Sequence, residues 1–227
     1  MRSLRSIAAR ALLIGSVVVL AGCATSRGVL DYTPAASEDL GSGPLVRVAS
    51  VTDARVFAKS PPDPSIPSLK GDEIDDKSIT SRAIARKRNS YGKAMGDILL
   101  PEGRAVVDIA RAAVVRGLRE GGYRVVEDGQ AGFEGATPID VEVRKFWMWL
   151  TPGFWALHLE FRGVMALKGS LPPLAGTPEV TGYVRLPSQA AGTGAWTNTL
   201  KQGLEDFNAN LVKLLQAPPA TEPTATP

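Results

Sequence analysis

The chain has 227 residues, with 26 lysines and arginines, 23 aspartates and glutamates, one histidine and one cysteine. A single cysteine excludes a disulfide framework, and one histidine with one cysteine cannot supply the ligands of a zinc or haem site. The net charge of +3 does not indicate nucleic-acid binding, because three basic residues lie in an N-terminal segment that processing is expected to remove.

The first 22 residues have the layout of a secretory signal peptide. Arg2, Arg5 and Arg10 precede the apolar run 11–20, and the segment has no acidic residue. The tetrapeptide Leu-Ala-Gly-Cys at 20–23 follows, and it resembles the lipobox of bacterial lipoproteins. An uncleaved anchor is disfavoured, because the apolar run is shorter than the about 20 residues of a spanning helix.

Cys23 is therefore expected to become the lipidated N-terminus of the mature protein. The lipobox resemblance implies a covalent diacylglycerol and an N-acyl group such as palmitate on this residue, and no other cofactor is expected. Aspartate after the cysteine favours the inner membrane in such lipoproteins; here Ala24 follows, which implies the periplasmic face of the outer membrane. Without its leader the chain has 23 basic and 23 acidic residues, so no nucleic-acid partner is expected.

The mature chain is predicted to hold one domain between two tails. Residues 23–44 are rich in Ser, Gly, Pro and Asp, which is typical of a flexible tether. The domain is expected over 45–216, and the proline-rich tail 217–227 is predicted to be disordered. Within the domain, residues 53–100 form a long polar segment that is either functional or flexible.

Hydrophobic periodicity predicts the elements of the domain in chain order. Residues 45–51 read as a first strand, and a helical pattern with Pro101 in its first turn ends at Gly121-Gly122. A short strand at 123–127 follows.

The second half of the domain is predicted to begin with a hairpin. Residues 139–150 and 154–167 alternate as two strands around the turn Thr-Pro-Gly at 151–153. A strand at 179–185 and an amphipathic helix at 196–215 complete the domain. This order predicts an α+β fold with a mainly antiparallel sheet and two amphipathic helices packed on one face.

An aromatic cluster surrounds the predicted hairpin turn and is a candidate contact surface. Strict alternation would place Trp147 and Trp149 on one face with Val141 and Val143, and Phe146 on the other. One face can pack under the helices, whereas the other needs a partner, a membrane interface or cover from 53–100. The candidate residues are Phe146, Trp147, Trp149, Phe154 and Trp155.

A second candidate surface is basic. Arg82, Arg86, Lys87 and Arg88 could contact anionic lipid headgroups or an acidic partner. They could equally form a solvated loop with the acidic residues of 72–76 as counter-charge.

The sequence marks no catalytic or metal-binding set. His158 lies mid-strand on the expected polar face, so a solvent-facing role is favoured over a catalytic base. The acidic run 72–76 lacks the spacing of a calcium loop and is interpreted as a solvated patch. A non-enzymatic protein is therefore expected, with a carboxylate-dependent cell-wall enzyme as the weaker alternative.

Four segments carry a resemblance to a known family: the lipobox at 20–23, the strand end 48–55, the segment 86–92 and the helix end 118–126. On these the chain resembles the YajG-like family of outer-membrane lipoproteins. The resemblance implies a periplasm-facing domain with no established activity and no catalytic residues. The aromatic hairpin and proline-rich tail depart from the family.

The order of helix and strand also looks similar to the auxiliary lipoprotein of ABC-type lipid transport systems. Two functions are therefore expected from different classes. The first is binding another cell-envelope component, and the second is lipid handling as an auxiliary subunit. The partner and the oligomeric state stay open at this point.

Overall fold

One long strand organises the fold. The structure is a computed structural model and describes residues 27–35, 41–89, 91–153 and 155–217. The strands are β1 (Gly28–Val29), β2 (Leu45–Asp53), β3 (Ala83–Arg88), β4 (Ala94–Leu99), β5 (Arg124–Val125), β6 (Thr137–Pro152), β7 (Leu157–Gly169) and β8 (Glu179–Ser188). The α-helices are α1 (Lys77–Thr80), α2 (Val106–Glu120) and α3 (Thr193–Leu215).

All eight strands form a single mixed sheet centred on β6. Along one edge β6 pairs with β7, and β7 pairs with β8, both antiparallel, which confirms the predicted hairpin. Along its other edge β6 pairs in parallel with β2 and then with β3. β5 extends the sheet beyond β2, and β4 and β1 extend it beyond β3.

The expectation of a mainly antiparallel sheet is wrong. In the part of the chain that the structure describes, four of the seven strand pairings are parallel, although the longest two are antiparallel. The prediction failed because local alternation identifies a strand without identifying its neighbour. β2 and β6 are joined through α2, and such a connection allows parallel pairing.

The principal core lies between the sheet and the two long helices. The buried faces of α2 and α3 meet the side chains of β6 and β7, with Trp196, Phe207 and Phe161 among the largest buried groups. α2 begins at Val106, after Pro101, and Gly122 follows its end with a φ of 94°. The glycine pair thus ends the helix as predicted.

A β-bulge in β6 decides which aromatic residues face the helices. The register shifts between Val143 and Lys145, so Arg144 is an extra residue. An extra residue moves the following side chains to the opposite face. Val141 and Val143 therefore share the helix side with Phe146, whereas Trp147 and Trp149 lie on the other side. The strict alternation expected from the sequence is corrected by this bulge.

A second, smaller core covers the face of β6 that turns away from the helices. The segment 54–82 crosses this face, and Leu69 packs there with Trp147 and Trp149. Trp147 donates through Nε1 to the Pro64 carbonyl at 3.2 Å, and its ring meets Phe57 edge to face. The polar segment 53–100 is therefore ordered: it supplies β3, β4, α1 and this cover.

The predicted tether is partly folded. Gly28 and Val29 form β1 beside β4, and the following Leu30 is buried in the principal core. Residues 1–26, with the predicted signal peptide and Cys23, lie outside the described residues, as do 218–227 of the predicted tail.

Candidate functional site

The structure separates the five aromatic candidates. Phe146 is fully buried, and Trp147 and Trp149 are 1% and 6% exposed, so the chain itself covers all three. The candidate role in partner contact is therefore corrected for all three, because segment 54–82 covers Trp147 and Trp149 and the helices cover Phe146. Trp155 in the β6–β7 turn is 88% exposed, and Phe154 lies outside the described residues.

The basic candidates are half-buried and mostly bound within the chain. Arg82 donates to the Leu100 carbonyl at 3.0 Å, and Arg86 donates to the Leu69 carbonyl. Arg88 donates to the Ser68 hydroxyl at 3.3 Å, and burial followed by the neighbouring Arg86 charge lowers its pKa. Lys87 is half-buried beside them.

The counter-charge of this basic set is not the acidic run 72–76. Buried Asp97 lies 3.4 Å from Arg86 Nε and 3.2 Å from Arg27 Nη2. Within the acidic run, Asp72 pairs with Lys59 at 2.8 Å and Asp76 caps α1 by accepting from Ser78. Asp97 on β4 lies closer to Arg86 than the acidic run does, because β3 and β4 are paired strands.

His158 is half-buried rather than solvent-facing. Its Nδ1 is buried and has no hydrogen-bond partner among the described residues. Two residues further along β7, buried Glu160 accepts from the Thr151 hydroxyl and from the Tyr183 hydroxyl, both at 2.6 Å. The hydrogen bond to Glu160, followed by burial, raises the pKa of Tyr183. The arrangement satisfies both carboxylate oxygens and ties β6, β7 and β8 together.

The described residues contain no cluster of three or more His, Cys, Asp and Glu side chains that could hold a metal ion. As far as the chain is described, no helix is long and apolar enough to cross a membrane.

A groove lies between the outer face of α2 and the β2–β5 part of the sheet, and we call it the α2 groove. Its volume is about 660 Å³. Its apolar lining comes from the helix, the sheet, the segment after β1 and the loop after β5: Pro34, Ala35, Val48, Ala49, Ala112, Val115, Val125, Val126 and Phe133. Its charged lining balances three arginines with three acids: Asp108, Arg111, Arg116, Arg119, Glu127 and Asp128.

The arginines of the α2 groove are held in place by neighbouring groups. Arg111 donates to the Val48 carbonyl at 2.7 Å, and Arg116 Nε lies 2.6 Å from Glu120. Arg119 lies 3.8 Å from Glu127, and its Nε is buried with no hydrogen-bond partner in the described chain. A buried donor without a partner is costly, so Arg119 is held in this position at some cost in folding free energy.

An unpaired strand edge borders the α2 groove. β5 pairs with β2 only at Leu45 and Val46, and Val126 then donates to the Val46 carbonyl at 3.0 Å. Beyond Val48, this edge of β2 has no strand beside it in the described residues. Such an edge presents backbone donors and acceptors that can pair with an added strand.

None of the groove residues was among the sequence-predicted site residues. The sequence signal for these residues was weak, because a helix face that alternates arginines with small residues is typical of a solvent-exposed surface. Ala112 and Val115 on that face were the available clue. Their meaning depends on β2 lying beside them, which no local pattern predicts.

No protein-family model and no curated protein sequence matches the chain. Solved structures that are similar to it include the following two. One is a crystal structure of an uncharacterised protein, with a TM-score of 0.45 at 12% identity over 82% of this chain and 97% of that chain. The other is a Xanthomonas campestris protein of the family DUF330, with a TM-score of 0.44 at 15% identity over 81% and 92%. Neither similarity links the chain to the YajG-like family.

Proposed function

We propose that this chain is a lipid-anchored, non-enzymatic protein of the periplasmic face of the outer membrane, and that it binds an extended segment of another envelope protein. The observation that carries the binding role is the α2 groove with its open strand edge. The leader and the lipobox cysteine Cys23 support the location. The resemblance to YajG-like lipoproteins agrees with this proposal.

An extended polypeptide fits the α2 groove better than a compact ligand. The groove lies beside β2 where β5 no longer pairs with it, so an added strand has backbone groups to bind. Alternate side chains of such a strand would meet the valines and alanines of the floor. The guanidinium groups of Arg116 and Arg119, which line the groove, supply donors for a carbonyl or carboxylate of the segment.

Lipid handling as an auxiliary subunit of an ABC-type transport system is the second candidate. The specific observation in its favour is the combination of an apolar floor with Arg111, Arg116 and Arg119, which suits an acyl chain with a phosphate headgroup. A carboxylate-dependent enzyme is the least supported reading, since buried Glu160 already accepts two hydrogen bonds.

Site-specific crosslinking in the periplasm tests the binding role. A photoreactive amino acid at Ala112, inside the groove, is expected to give one discrete protein adduct whose crosslinked residue lies in an extended segment. The matched position Ala209, exposed on α3, is expected to give none. Val115→Glu should abolish the adduct by placing a charge on the apolar floor. A phospholipid adduct at Ala112 would instead favour the second candidate, and no adduct would contradict both.

Metabolic labelling tests the anchor. Wild-type protein is expected to incorporate labelled palmitate and to fractionate with the outer membrane, whereas Cys23→Ala should do neither, because Cys23 is the chain's one cysteine. An unlabelled wild-type protein would contradict the lipoprotein assignment whatever the groove binds.

A further inference from the structure

The polypeptide enters the fold in a known direction. β1 pairs in parallel with β4, with Gly28 opposite Ile98 and Val29 opposite Leu99. Parallel strands run the same way, so the chain that precedes β1 comes from the end of the sheet where β4 begins, which is the β3–β4 turn.

Arg27 fixes this entry point. Its guanidinium lies 2.5 Å from Glu73 and 3.2 Å from buried Asp97. Four residues of chain reach at most about 14 Å, so Cys23 lies within that distance of Arg27. The β3–β4 turn is about 13 Å from Asp97 along β4. The expected lipid anchor and this turn can therefore meet the same surface.

The β3–β4 turn presents an aromatic and a basic side chain. The side chain of Asn89 accepts from the backbone N–H groups of Tyr91 and Lys93, at 3.0 and 2.9 Å, which holds the turn closed. Tyr91 is 93% exposed, and Lys93 is also exposed. Residues 86–96 contain four basic residues and no acidic residue.

The β6–β7 turn lies at the same end of the sheet. β3 runs parallel to β6, with Ala85 opposite Met148. If this register is continued, Arg88 lies opposite Thr151. β3 and β6 therefore finish at the same end of the sheet. Exposed Trp155 thus lies on the turn beside that of Tyr91, and these two are the most exposed aromatic side chains described.

We propose that this end of the sheet contacts an anionic phospholipid membrane. Tyr91 and Trp155 insert at the headgroup level, where amphipathic rings are favoured, and exposed Lys93 contacts lipid phosphates. The inference rests on the lipid anchor of the proposed function and adds the orientation of the domain on the bilayer. An alternative occupant, a protein partner, would not require that both aromatic turns lie at the end where the lipidated chain enters.

A chemically tethered protein tests the proposal. The mature chain 23–227, which includes every described residue, is coupled through Cys23 to a maleimide phospholipid in vesicles of phosphatidylethanolamine and phosphatidylglycerol. Tryptophan emission is compared in vesicles with and without acyl-chain bromine, which quenches nearby rings. Trp155 reports the contact because Trp147, Trp149 and Trp196 are buried. We expect quenching in the wild type and its loss in Trp155→Ser.

Variants elsewhere on this surface separate contact from mere proximity. Tyr91→Ser and Lys93→Glu are expected to weaken quenching of Trp155, the latter lowering the ratio of docked to undocked protein by about fivefold or more, since one basic residue contributes about 1 kcal/mol at an anionic surface. The matched controls Val56→Ser and Arg124→Glu change exposed residues away from the two turns and should leave quenching unchanged.

Two results would overturn the proposal: equal emission with and without bromine, or equal quenching in Lys93→Glu and Arg124→Glu. Neither depends on acylation in the cell, because the tether is made chemically. Failed palmitate labelling with retained quenching would overturn the proposed anchor alone. Successful labelling without quenching would overturn the membrane surface alone.

Discussion

Arg55 shows how one buried side chain joins separate parts of the chain. Its five guanidinium N–H groups donate to the Asp53 carboxylate, at 2.8 and 2.7 Å, and to the carbonyls of Thr80, Ala83 and Phe146. These acceptors belong to β2, α1, β3 and β6. Arg55 therefore stabilises the attachment of segment 54–82 to the sheet.

Replacing Arg55 should be strongly destabilising. Arg55→Met leaves the Asp53 charge and three carbonyls without their donor, which is expected to cost about 3–5 kcal/mol of unfolding free energy. Arg144→Met removes an exposed arginine and is expected to cost less than about 1 kcal/mol. Urea denaturation of both variants measures the difference, and equal losses would show that the Arg55 hydrogen bonds contribute little.

At the scale of elements, α3 protects the free edge of β8. Asp206 accepts from the Tyr183 backbone N–H and Asn210 donates to the Thr181 carbonyl, both at 2.9 Å. Pro187, on the same edge by alternation, has no N–H to offer. An exposed edge strand can pair with another molecule, so these three residues limit association through β8.

Removing this protection should expose the edge. Asp206→Ala with Asn210→Ala is expected to cost about 1 kcal/mol for each lost hydrogen bond and to promote concentration-dependent association. The double variant Asn198→Ala with Glu205→Ala removes an amide and a carboxylate from exposed α3 positions that interact with Gln202 and Lys201 of the same helix. Size-exclusion chromatography with light scattering compares them, and a monomeric edge variant at high concentration would argue against the protective role.

At the scale of the whole molecule, β6 serves two cores at once. Its helix-facing side chains belong to the principal core, and Trp147 and Trp149 belong to the smaller core under segment 54–82. A strand shared by both cores couples them, so the domain should unfold in one transition.

Leu69→Ala tests this coupling from the smaller core. Leu69 is buried, so the variant leaves a cavity that is expected to cost about 2–5 kcal/mol. Tryptophan fluorescence and far-ultraviolet circular dichroism should report the same lowered urea midpoint. Separate midpoints would mean that the cover of 54–82 unfolds independently of the helices.

The two proposed surfaces lie at opposite ends of the molecule. The α2 groove borders Val48, which pairs with Ile139 near the start of β6, whereas the turns with Tyr91 and Trp155 lie beyond its end. The twelve residue-to-residue steps from Ile139 to Thr151 span about 40 Å. With one end on the bilayer, the groove would face away from the membrane, where a protein partner can reach it.

Local chemistry was sufficient to predict much of the secondary structure. The patterns for α2, α3 and the β6–β7 hairpin depend on residues close in sequence. The glycine pair ends α2, and Gly153 directly follows the end of β6 at Pro152. The lipobox cysteine is likewise a local motif. Such features were read from the sequence because the physics that determines them acts over a few residues.

Tertiary structure alone decided the pairing of β2 with β6, the side of the sheet that each tryptophan occupies and the existence of the α2 groove. The bulge at Arg144 reverses the alternation, and segment 54–82 covers the face thereby given to Trp147. β2 and α2 create the groove only when they lie side by side. These features depend on contacts between residues far apart in the chain. The periodicity of a single segment carries no information about such contacts.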